Sequence, residues 1–288
     1  MAIVVRGHQQ VRNYQRLLGG EPRQSAVKKA TSEMSRYVTE RLERSNEARK
    51  EIDSILAKRH DLILSKIHEE HPHLRTENAQ LRRIFEQRAK RKLTRPRLRK
   101  IESLIISDTA TLSPPYDDQW VINPANQTAD ASKTNGTYNL GVQSLGNGTQ
   151  EVAAGVMSRF LCTVSGLQRF AAVIDFSDDW WDSASGYVAH NYVSTRLWVF
   201  GESENAWVVR TEVQPSWSDG AAYFEHHGND PNGQTGEISV ETFFQGQTNS
   251  WYQGWVWTDA QAYGNSGPFG FGASSIKFNA SVPWMLFT

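Results

Sequence analysis

The chain has 288 residues, with 31 Lys and Arg, 31 Asp and Glu and a formal net charge of zero. That zero is a cancellation: through Ser107 there are 25 cations against 13 acids, a net of +12, and beyond it 6 against 18, a net of −12. The single cysteine, Cys162, excludes an intramolecular disulfide, and no stretch approaches the ~20 apolar residues of a membrane-spanning helix.

Residues 1–23 read as an N-terminal arm. Its four-residue apolar run before Arg6 is too short for a secretory signal, so the chain is expected to be made in the cytoplasm. On that reading it reaches any external site as part of a particle released by lysis or a dedicated machine. The N-x-S/T triplets at Asn126, Asn135, Asn147 and Asn279 then serve as turn and strand chemistry.

Residues 24–107 read as a basic helical stem. From Gln24 to His71 there is neither proline nor glycine, and Glu, Lys, Arg, Ala and Leu dominate, which predicts one long helix. Its apolar residues Val27, Met34, Val38, Ala48, Ile52, Ile55, Leu62 and Ile67 recur at steps near three, four and seven, interrupted by Arg41, Ser45 and Arg59. So narrow a stripe is unstable alone and asks for a partner, which is expected to be another copy in a homo-oligomeric coiled coil. Pro72 ends or kinks this helix, and a second helical stretch opens at Thr76 and runs through Leu93. His68, His71 and His73 have no metal-ligand pattern and read as surface residues at a helix end.

The run Arg88, Lys90, Arg91, Lys92, Arg95, Arg97, Arg99 and Lys100 puts eight cations into thirteen residues. It suits an anionic partner. Nucleic acid is not favoured, because no aromatics are interleaved to stack bases, and pairing with the chain's own acidic half is the simpler role.

Residues 108–118 read as a linker around Pro114 and Pro115, and residues 119–288 as an aromatic-rich, all-β head. All ten tryptophans lie after residue 119. Strands are predicted at 119–123, 136–144, 152–164, 168–176, 187–200, 206–213, 236–244, 251–258 and 276–282. The last alternates cleanly, with Ile276, Phe278, Ala280 and Val282 on one face. The fold class is therefore α+β in two parts, a coiled-coil stem followed by an antiparallel sandwich, jelly-roll-like in strand number. From Thr242 to Thr288 only Asp259 and Lys277 are charged, which places that tract deep in the sandwich or against a neighbouring subunit. Cys162, among apolar neighbours, reads as a buried thiol.

Two aromatic clusters are candidate ligand sites: Asp179, Trp180, Trp181 and Asp182, and Trp251 with Tyr252. Indole faces stack on sugar rings while carboxylates take hydroxyls, so a surface glycan is the ligand these residues suit. Trp255 and Trp257, two apart on one strand face, read as core. The loop His226–Glu237 offers oxygens at Asp230, Asn232 and Glu237 but reads as a turn. No catalytic motif, metal site or cofactor site is present in the sequence, although Asp175, Asp179 and Glu225 are carboxylates of the kind a hydrolase pairs.

The composition thus points to a non-enzymatic structural or binding protein, a fibre- or adhesin-like component of a larger assembly. The alternatives are a pore-forming toxin, in which Thr134–Gln150 or Ala260–Ile276 refolds into a membrane hairpin, and a hydrolase with a helical appendage.

Overall fold

The computed structural model describes residues 24–89, 110–223, 225–229, 234–267 and 270–288. The long helix α1 runs Gln24–Glu70, and α2 runs Leu74–Ala89 after a break at Pro72. Twelve strands follow: β1 Ala110–Leu112, β2 Asp118–Ile122, β3 Thr128–Ser132, β4 Thr137–Ser144, β5 Asn147–Cys162, β6 Gly166–Ser185, β7 Tyr187–Gly201, β8 Ala206–Tyr223, β9 His226–Gly228, β10 Gln234–Gly246, β11 Ser250–Gly267 and β12 Gly270–Phe287.

All named pairings are antiparallel. One sheet has the order β10–β6–β12–β4–β3, with β1 added beside β12 and β9 beside β6. The other has the order β2–β5–β11–β7–β8. The sheets join where the β11–β12 hairpin crosses between them, at Ser266↔Phe271 and Gly267↔Gly270. The eight long strands stand as β4–β12–β6–β10 facing β5–β11–β7–β8, two Greek keys in a jelly-roll-like sandwich. Alternation explains the core between the sheets: Val152, Ala154 and Val156 of β5, Ile174 of β6, Val256 and Ala260 of β11 and Ile276, Phe278 and Ala280 of β12 all point inward.

The charge-poor tract after Thr242 contains β11 and β12, each hydrogen-bonded on both sides and thus central in its sheet. The two segments considered for membrane insertion are β4 with the start of β5, and the β11–β12 hairpin. Their inward side chains, such as Leu140, Val142, Ala262 and Ile276, belong to the sandwich core.

The expected coiled-coil stem is corrected by the packing of α1. Ala26, Ala30, Met34 and Val38 form one buried helix face against Trp120, Met157, Trp198, Phe200, Trp255 and Trp257, on the outer face of the chain's own β2–β5–β11–β7–β8 sheet. The apolar stripe does need a partner, and an aromatic floor supplies it within the same chain. Further along, Asn46 Oδ1 accepts from the Thr149 backbone N–H at 3.1 Å, Tyr187 donates to Asp61 at 2.8 Å, and Leu64 seats on Gly186. Ile55 and Leu62, read as part of the same seam, instead face solvent at 61 % and 68 % exposure. His68, expected at the surface, is buried, while His71 and His73 are exposed.

The linker is also more tightly held than a spacer. β1 pairs with the end of β12, and Tyr116 donates through its hydroxyl to the Val282 carbonyl at 2.9 Å. Cys162 is buried, its thiol donating to the Val164 carbonyl, and burial raises its pKa.

Candidate ligand-binding cleft

Arg41 and Ser45 interrupt the apolar seam of α1 because the helix crosses a polar part of the sheet there. Below Arg41 lie Glu151 of β5 and Asp259 of β11, both with fully buried side chains, and the Arg41 guanidinium bonds to both. Arg196 of β7, also fully buried, meets Asp259 at 2.9 Å. Gln261 donates to Glu151 at 2.8 Å. Two cations and two acids are thus enclosed in a balanced cluster. Such a group tolerates burial only when every charge has a partner. Burial by itself would lower the Arg41 pKa, but Asp259 and Glu151 outweigh it and raise it, so the guanidinium stays charged. Burial pushes the Glu151 carboxyl up to about 7, with Arg41 opposing and Asp259 reinforcing the rise.

Beside this cluster a cleft of about 550 Å³ opens between helix and sheet. The helix α1 contributes Tyr37, Arg41 and Ser45; β7 contributes His190, Asn191 and Tyr192; β8 contributes Ser218, Asp219 and Gly220; and β11 contributes Gln261. Arg41 lies between two rings, 5.8 Å from the Tyr37 centroid and 5.9 Å from that of Tyr192. Tyr37 is held edge-on against Trp198 at 5.1 Å. Arg49, which has only donors, sits 2.5 Å from His190 Nε2. That atom must therefore carry the lone pair, and the proton is on Nδ1. Burial, then the charge of Arg49, lowers the His190 pKa to about 4, so the ring is neutral at pH 7.

Asn191 is completely buried and donates through Nδ2 to the Trp181 carbonyl at 3.1 Å. Its Oδ1 has no donor among the described residues. Asp219, its cross-strand neighbour, pairs with His227 of β9 at 3.1 Å, tying the cleft wall to the other sheet. Asp182, cross-strand from His227, is also fully buried, and burial followed by the nearby Asp219 pushes its pKa up to about 9.

The residues singled out from the sequence do not form one site. Trp181 is buried with Phe271 and Ala273, Trp180 is half-buried against the core, and Asp179 lies 3.9 Å from Lys277. Far along the other sheet, Tyr252 is fully buried and Trp251 is covered by Arg159, 3.9 Å from its ring centroid. Trp255 and Trp257 are buried as expected, but under α1 and not between the sheets. Arg88 lies in the last turn of α2. Lys90, Arg91, Lys92, Arg95, Arg97, Arg99 and Lys100 fall outside the described residues, as do Asp230 and Asn232. Glu237 is exposed on β10, and among the described residues no cluster of three His, Cys, Asp or Glu side chains could hold a metal ion. The cleft residues that sequence reasoning missed did leave one trace, the polar breaks at Arg41 and Ser45 in the helix seam.

No protein-family model matches the chain, and no curated protein matches it in sequence. Among solved structures it aligns with the carbohydrate-binding module TmCBM61 in complex with β-1,4-galactotriose at 10 % identity and a TM-score of 0.17, covering 62 % of this chain and 88 % of that one. It also aligns with infectious bursal disease virus Gx strain at 11 % identity and a TM-score of 0.13, covering 58 % of this chain but only 41 % of that one. At these scores the alignments establish no relationship.

Proposed function

We propose that the protein is a non-catalytic recognition module that binds a neutral saccharide in the cleft between α1 and the β-sandwich. The observation that carries this reading is the wall of the cleft, where the Tyr37 and Tyr192 rings flank the Arg41 guanidinium beside the polar Ser45, His190, Ser218 and Gln261. The cleft offers donors in Arg41 and His190 Nδ1–H, and both donors and acceptors in Ser45, Ser218 and Gln261. Polyols need that mixture, with rings to pack their C–H faces.

The enclosed ion cluster argues against hydrolysis at this cleft, because Glu151 and Asp259 are sealed beneath Arg41 and already paired. Asp175 and Asp179, four residues apart on β6, stand ~13 Å apart at 3.3 Å per residue, wider than the separations of paired glycosidase carboxylates.

Titration of the full chain with neutral oligosaccharides by calorimetry tests the reading. Tyr192→Ala is expected to weaken binding at least about tenfold, while Trp251→Ala leaves it unchanged. Binding that survives Tyr192→Ala, or is lost with Trp251→Ala, would overturn the assignment.

A further inference from the structure

Beneath α1, the β7–β11 pairing sets Asp259 beside Ser194, Gln261 beside Tyr192 and Tyr263 beside His190. Above these three rungs the helix places Arg41, Ser45 and Arg49 four residues apart, on one face. The first rung is closed, because Arg41 bonds to Asp259. The second is the open cleft, lined by Ser45, Tyr192 and Gln261.

The third rung holds a cation without an acid. Arg49 is half-buried, its guanidinium 3.8 Å from the Tyr263 ring centroid and 2.5 Å from His190 Nε2. Among the described residues it makes no ion pair, whereas Arg41, Arg159 and Arg196 each meet a carboxylate. Asp219, the acid among the cleft's lining residues, is committed to His227 of β9. A ring face and an imidazole nitrogen leave the charge of Arg49 unbalanced, and a guanidinium has further N–H donors beyond the one His190 takes. Its planar fork matches a carboxylate.

We infer that Arg49 is a carboxylate subsite at the end of the cleft, so that the saccharide bound there carries a uronic-acid residue next to the neutral one beside Tyr192 and Gln261. Ser45 and Arg49 are one helical turn apart, about 6 Å at 1.5 Å per residue, which suits neighbouring sugars of one chain. His190 joins the two parts, since the ring that lines the cleft also fixes Arg49 through Nε2. The inference rests on the saccharide reading of the cleft and adds the class of saccharide to it: neutral beside the tyrosines, anionic at Arg49.

The test titrates the full chain by calorimetry with two oligosaccharides of one backbone, one wholly neutral and one ending in a single uronate. The wild type is expected to bind the uronate form at least about tenfold more tightly, with the preference shrinking as salt is raised. Arg49→Gln, its folding verified by circular dichroism, is expected to bring the ratio of the two affinities to about one, while Arg49→Lys keeps part of it because the charge remains and the fork is lost. Equal binding of both forms by the wild type, or a preference that survives Arg49→Gln, would overturn the inference and leave the saccharide cleft standing. Binding of the uronate form alone, abolished by Arg49→Gln, would overturn the neutral reading of the cleft and keep the subsite; binding of neither form would overturn both.

Discussion

Replacing Arg41 by alanine isolates the contribution of the buried ion cluster. The substitution removes one of two cations and leaves Glu151 and Asp259, both with fully buried side chains, facing Arg196 alone. Breaking a buried pair by deleting one partner costs about 3–5 kcal/mol, because the orphaned charge cannot reach water. The loss depends on pH. Glu151 already has its folded-state pKa raised from 4.5 to about 7, and without Arg41 it rises further. A group with a raised folded pKa contributes stability that is fully present below its unfolded pKa and is lost as pH rises through the folded value. The variant therefore loses least near pH 5, where the folded state keeps Glu151 protonated, and most near pH 8. Urea unfolding followed by tryptophan fluorescence at the two pH values measures the difference. Adding Glu151→Gln to the variant is expected to restore most of the loss at pH 8. A loss below about 1 kcal/mol at pH 8, equal to that at pH 5, would refute the enclosed cluster.

Asp182 is expected to give a second pH dependence of the same sign. Its pKa rises from 3.8 to about 9 on folding, so stability falls as pH increases between those values. Asp182→Asn flattens that slope and stabilises the protein at pH 8 by several kcal/mol, at about 1.4 kcal/mol per pKa unit; an unchanged slope would contradict the assignment. Met34, fully buried on the sheet-facing side of α1, is expected to cost about 2–5 kcal/mol when cut to alanine. Leu62→Ala, measured at dilute protein, changes stability by less than about 0.5 kcal/mol. Equal losses at the two positions would mean that the helix does not use the face described here.

The β head was legible because its pattern is local. Each of the nine predicted segments lies on an observed strand, since alternation of Val, Ile, Phe and Trp survives wherever one face meets the core. Their lengths were underestimated where outward or edge positions carry Asp, Ser, Asn and Gly. Asp178–Asp182 lay beyond the predicted strand at 168–176 but sits within β6, and the second half of β11 hides in Asp259–Gly267. Three short strands, β1, β3 and β9, are too brief to show any period.

The helix was legible as a helix but not as a neighbour. A 3.6-residue stripe says that a face is buried and is silent on whether another helix or an aromatic sheet covers it. The sheet's outer face gave the matching sign, since Trp120, Trp198, Trp255 and Trp257 are too many indoles for an uncovered surface. Asp259, one of only two charges after Thr242, was the counterpart of the seam-breaking Arg41, separated by 218 residues of sequence. No spacing rule links such positions, so the cleft emerged only once the chain was folded.

The proposed ligand cleft is built jointly by α1 and the sandwich. Chemical-shift mapping of the full chain titrated with a neutral oligosaccharide tests it most directly. Perturbations are expected to appear together on Tyr37, Arg41 and Ser45 of the helix and on His190, Tyr192 and Gln261 of the strands. Perturbations confined to Trp180 or Trp251, with α1 unaffected, would contradict it.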